Sequence, residues 1–122
     1  MKAGAHIHAL KVSAALLKPS TFPVEYWSRG ILAEDLKVGQ PIHIIRYARA
    51  PQEEGEPATV VRPGEYQSSV VRNINLVNPD QVQVQTDNSV WLLTKLGPLT
   101  KEQEEEIKRM LDMPLAPPPI NA

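Results

Sequence analysis

A chain of 122 residues, 42% of them hydrophobic, fits one domain and should bury roughly two-thirds of its unfolded surface, enough for a core without a staple. Thirteen Lys plus Arg against fourteen Asp plus Glu leave no global field steering it to nucleic acid, so any such role needs a local basic patch. The absence of cysteine excludes disulfides, thiolate metal sites and a thiol nucleophile, and fits a reducing, cytoplasmic setting.

The first stretch, residues 1–23, reads two ways. Leu10, Ala14 and Leu17 fit a helical stripe, whereas Leu10, Val12, Ala14 and Leu16 fit one face of a strand; Pro19 and Pro23 end either. His6, His8 and Lys11 interrupt the apolar run that a secretory leader needs. No run approaches the roughly twenty apolar residues of a bilayer span, so a soluble chain with no membrane partner is expected.

Residues 24–32, VEYWSRGIL, are aromatic and β-branched enough for a strand, with Gly30 as a bulge or bend. A polar turn through Gly39 leads to PIHIIRYAR, 41–49, the clearest strand of the chain. APQEEGEP, 50–57, carries two prolines, a glycine and three glutamates, and reads as a mobile, solvated excursion. ATVVR resumes the sheet, and Pro63-Gly64 suits a type II turn. In 67–77, Val70, Ile74 and Leu76 fall on one face and Ser69, Asn73 and Asn75 on the other. Asn78-Pro79-Asp80 has type I turn chemistry. VQVQT then alternates, Asp87-Asn88-Ser89 supplies a hairpin loop, and VWLLTKL returns as the last strand.

Gly97-Pro98 breaks the sheet. Thr100 with Gln103 has the spacing of a capping box, glutamates lead the following helix, and Lys108-Arg109 close it. Ile107, Met110 and Leu111 are its apolar stripe. The tail 114–122, PLAPPPINA, reads as polyproline II or disordered. The chain thus predicts a mainly β fold: a small, strongly bent antiparallel sheet or an SH3- or OB-like barrel over 24–97, one short C-terminal helix over 98–113, and a proline-rich tail. Fold analogy alone carries no function.

The chemistry is sparse. His6 and His8 share a face if the segment is extended, and with His43 or a carboxylate would suffice for zinc, but no HExxH or acidic cluster accompanies them; no metal and no cofactor are expected. There is no GxSxG elbow and no phosphate-cradling motif. A small hydrolase would have to be built around His43. The sharper pattern is arginine among aromatics. Trp27, Arg29, Arg46, Tyr47, Arg49 and Arg62 would hold a single-stranded nucleic acid if they converged on one face. As rim residues they would instead cover the edges of the core. Strict alternation puts Arg46 with Ile42 and Ile44, and Tyr47 and Arg49 with His43 and Ile45. Trp91, between apolar neighbours, belongs to the core or an interface. The reading that follows is a non-catalytic binding or assembly module that engages a protein partner or self-associates as a homo-oligomer, a second copy covering an edge strand; single-stranded nucleic acid is the alternative.

Overall fold

The structure, a computed structural model, describes residues 1–14 and 26–112. Six strands follow in chain order around a closed antiparallel barrel: β1 (His6–Ala14), β2 (Trp27–Leu32), β3 (Pro41–Arg49), β4 (Val60–Asn78), β5 (Gln81–Thr86) and β6 (Ser89–Lys95). One helix, α1 (Lys101–Asp112), completes the described fold. The mainly β barrel with a short C-terminal helix is what the sequence implies. The end of the ambiguous N-terminal stretch, the first residues of the 24–32 strand and the proline-rich tail lie outside the described residues, as do the side chains of Arg62, Met110 and Leu111.

The start of the chain resolves as a strand. Ile7 and Ala9 are buried inside the barrel while His6 and His8 alternate to the outside. Because β6 pairs back onto β1, each of the six strands is paired on both sides. That removes the open edge which a second copy was expected to cover. No described helix is long and apolar enough to cross a membrane.

Inside, Ile7, Leu32, Ile42, Ile44, Val71, Val84, Trp91 and Leu93 form one core. Trp91, 2% exposed, is a core residue. Neighbouring apolar residues on β3 divide between two layers. Ile44 points in, and Ile45, Tyr47 and Ala48 form an outer cluster that Ile107 of α1 covers. The capping box holds α1 in place: Thr100 Oγ1 accepts from the Gln103 N–H at 3.2 Å, and Gln103 Oε1 accepts from the Thr100 N–H at 2.9 Å.

Three local expectations change. Pro63 and Gly64 make no turn; they lie inside β4, which runs unbroken for 19 residues. The register passes from Arg46↔Gly64 to Ala48↔Val61, so β4 carries an extra residue at Arg62-Pro63, a bulge where proline's missing N–H does no harm. Four such shifts along β4 coil it round the barrel so that it pairs with β3 first and β5 later. The same shifts break the alternation read for 67–77: Val71 is the residue sealed inside, and Leu76 is left 76% exposed.

The third change is the 50–57 excursion. Most of its side chains are exposed, but Glu56 folds back against the barrel and binds the buried Arg49. Gly55, at φ 89°, supplies the left-handed turn that makes this return possible.

Candidate binding groove

The outer face of β1, β2 and β3 meets the start of α1 in a groove. His8 of β1 lies opposite Arg29 of β2, and Leu10 opposite Trp27. Tyr47 joins them because β3 bulges there. Arg29 pairs with Ala48 and Gly30 with Arg46, leaving Tyr47 as the extra residue, turned outward beside Ala48. Gly30 permits the bulge: a Cβ there would collide with the Ile45 carbonyl oxygen and the Arg46 Cα.

His6 bridges three elements. Its Nδ1 lies 2.7 Å from the Gly97 carbonyl oxygen, which can only accept, so the ring proton sits on Nδ1. Nε2 then accepts from the Tyr47 hydroxyl at 2.6 Å. Burial raises the Tyr47 pKa, against a smaller opposing effect of Arg29, and keeps the phenol a donor. β1, β3 and the lead-in to α1 are locked together by one imidazole.

Arg29 is held as firmly. Its Nε donates to His8 Nδ1 at 2.9 Å, and its guanidinium carbon lies 4.5 Å from the centroid of the Trp27 ring. The His8 ring sits 5.4 Å from the same indole. Burial, and then the Arg29 charge, lower the His8 pKa, so this imidazole stays neutral and keeps accepting. What remains unspent is the outer end of Arg29. No carboxylate among the described residues pairs with it, and its two terminal nitrogens have no hydrogen-bond partner there. They open onto two adjoining hollows. One, of about 430 Å³, is lined by His6, His8, Tyr47, Thr94 and Gln103; the other, of about 600 Å³, by Val61, Thr59 and three helix glutamates, Glu102, Glu105 and Glu106. Polarity therefore changes along the groove, from neutral through one cation to an acidic wall.

The six residues singled out from the sequence divide. Trp27, Arg29 and Tyr47 share this outer face. Arg46 and Arg49 do not: Arg46 turns into the barrel and donates to the Tyr26 hydroxyl at 3.0 Å, and Arg49 is buried against Glu56. Arg62 places its backbone at the β4 bulge. The pair His6 and His8, weighed only as zinc ligands, becomes the scaffold of the groove. Three of their four ring nitrogens are engaged, and no cluster of three or more metal-ligating side chains occurs among the described residues. His43 faces Glu65 at 3.6 Å, its Nε2 is buried without a hydrogen bond, and it lines neither of these two hollows. Gln81, Gln83 and Gln85 lie on the outer face of β5 as the alternation implies, with Gln81 donating to Thr94 Oγ1. Compared with known protein families, curated proteins and solved structures, the chain finds no match.

Proposed function

We propose that this chain is a non-catalytic binding module that engages a protein partner along the groove between the β1–β3 face and α1. The observation that carries the reading is Arg29: oriented by a neutral acceptor, stacked on an indole and left with both terminal nitrogens unspent. Fixing a cation in this way before a ligand arrives lowers the entropy cost of binding. The chemistry of the walls narrows the partner. A carboxylate suits Arg29, and Glu102, Glu105 and Glu106 beside it call for basic side chains a few residues along the same segment. A polyanion meets one cation here and three carboxylates.

Single-stranded nucleic acid is the second reading, favoured by Trp27, Arg29 and Tyr47 lying together on one face. One titration separates the two. A labelled peptide with a single glutamate among lysines and a labelled oligothymidylate are each added to the wild type and to Arg29→Gln. The protein-partner reading expects the peptide to bind and the substitution to weaken it about tenfold or more, the loss of one charged hydrogen-bonded contact of about 1.5–3 kcal/mol. Binding of the oligonucleotide alone, weakened by salt, would transfer the groove to nucleic acid. Light scattering at high protein concentration shows whether the partner is a second copy.

A further inference from the structure

The barrel is filled in its middle, around Trp91, and left open at one end. Residues paired across strands share a face, so the inward series can be followed to the rim. On β4, Ile74 lies opposite Val84 and packs against the core, and the next inward residue is Leu76, opposite the buried Val82. On β6 the inward series is Trp91, Leu93 and then Lys95, which lies opposite the buried Ile7. Leu76 is 76% exposed and Lys95 is exposed too, because the wall continues past the side chains that fill it.

The space so formed is a hollow of about 450 Å³, walled by Met1, Ala5, Leu76, Pro79 and Val82 and bordered by Lys2 and Lys95. Its walls are tied in place. Gly4, at φ 87°, turns the N-terminal segment, whose Met1 carbonyl accepts from the Leu36 N–H at 2.9 Å and whose Ala3 N–H donates to Asp35 Oδ1 at 2.8 Å. The Asp80 carbonyl accepts from the Lys95 N–H at 2.7 Å and ties the β4–β5 turn to β6. The lining holds no aromatic ring, no carboxylate and no hydroxyl or amide side chain. Its charged groups are both cations. Lys2 meets Asp35 at 3.5 Å with 88% of its side chain exposed, whereas no carboxylate among the described residues pairs with Lys95.

We propose that this mouth binds a fatty acid, its unbranched tail laid over Leu76, Val82 and Met1 and its carboxylate at Lys95. The volume is that of a small-molecule site, and the mouth of a β-barrel is a common place for one. Charge complementarity selects the head: an unpaired ammonium at the border of an apolar surface attracts an anion and repels a cation. The walls select the tail, because a planar ring finds nothing to stack on and a hydroxylated chain would lose its water without a partner. The stem of Lys95 adds apolar surface to the same wall. None of these residues borders the outer groove, so the two sites stand or fall separately.

Methyl resonances of Met1, Leu76 and Val82 in the full, isotope-labelled chain report on the hollow. Sodium hexanoate, octanoate and decanoate are titrated below their micelle concentrations, with octylammonium chloride and 1-octanol as the same tail on other heads. Expected are saturable shifts at these methyls, with affinity rising several-fold for each two methylene groups added. Octylammonium should bind several-fold more weakly than octanoate. Lys95→Met, which keeps an apolar stem, should weaken octanoate several-fold and leave octanol unchanged. Leu76→Glu, at a position exposed enough to accept it, should abolish octanoate binding. No saturable shift with decanoate, an affinity independent of tail length, octylammonium binding as tightly as octanoate, or octanoate binding undiminished in both variants would overturn the proposal. Leu76 methyls that shift with protein concentration alone would give the mouth to a second copy and overturn it as well.

Discussion

Arg49 and Glu56 close a two-pronged ion pair across the bend between β3 and β4, Nη1 to Oε1 at 3.2 Å and Nη2 to Oε2 at 2.9 Å. Glu56 Oε1 also accepts the backbone N–H groups of Gln52 and Glu53, each at 2.8 Å. The Arg49 guanidinium first, and then these two N–H groups, lower the Glu56 pKa from 4.5 to about 2. A depressed carboxylate contributes stability that is complete above its unfolded value and is lost as pH falls through its folded one. Acid titration of wild-type stability should therefore show a decline between about 4.5 and about 2 that Glu56→Gln lacks. Near neutrality the variant should be the less stable, because Arg49 stays buried without its counter-charge. Parallel pH profiles for the two proteins would contradict this assignment.

The same arginine shows where sequence reading reached its limit. Alternation along PIHIIRYAR correctly turns Arg46 in with Ile42 and Ile44 and Tyr47 out with Ile45. It also puts Arg49 beside Tyr47, and there it fails, because the bulge at Tyr47 moves the strand on by one residue and turns Arg49 inward, opposite Ser28. A bulge is set by a partner strand, here by the close approach that Gly30 allows, and nothing within PIHIIRYAR announces it. Features that depend on neighbours in sequence were legible: the capping box of α1, the Asx contact of Asn78 with Asp80, and the strand over Pro41–Arg49. The groove was half legible. Its aromatics and Arg29 stood out by type, but His6 and His8 gained their roles only when β1 paired with β2 and the Gly97 carbonyl came to rest against them.

Glycine 30 gives the sharpest stability test. Gly30→Ala should lower the urea midpoint by the equivalent of about 1–3 kcal/mol or more, since the new methyl group meets β3 backbone that cannot give way. Gly39→Ala is the control. Its φ of 93° carries a strain of about 1–2 kcal/mol, but nothing lies within 4 Å of the added carbon. A Gly30→Ala protein as stable as wild type would mean that the strands do not approach this closely.

His8 supplies a second pH dependence, of the same sign. Its pKa is lowered from 6.5, by burial and then by Arg29, so the folded chain favours the neutral ring. The unfolded chain takes up the proton first, and stability is complete above about 6.5 and lost as pH falls below it. A protonated His8 also cannot accept from Arg29 Nε. Melting temperatures measured on either side of this value should diverge in the wild type and much less in His8→Asn, which keeps an acceptor but does not titrate. An identical loss in both would place the dependence elsewhere.

The helix cap is testable by itself. Thr100→Ala removes the acceptor for the Gln103 N–H and should cost about 0.5–2 kcal/mol by chemical denaturation. Lys101→Ala, at an exposed first-turn position, should stay within about 0.5 kcal/mol of wild type. Equal effects would show that α1 does not depend on its capping box.

The account rests most heavily on the unspent end of Arg29, and the indole N–H resonance of Trp27 beneath it is the direct reporter. When the peptide with one glutamate among lysines is titrated into isotope-labelled protein, that resonance should shift and saturate while the Trp91 indole in the core stays in place. Arg29→Gln should remove the shift. A Trp27 signal that does not move with the peptide, or that moves equally in Arg29→Gln, would contradict a partner site in this groove.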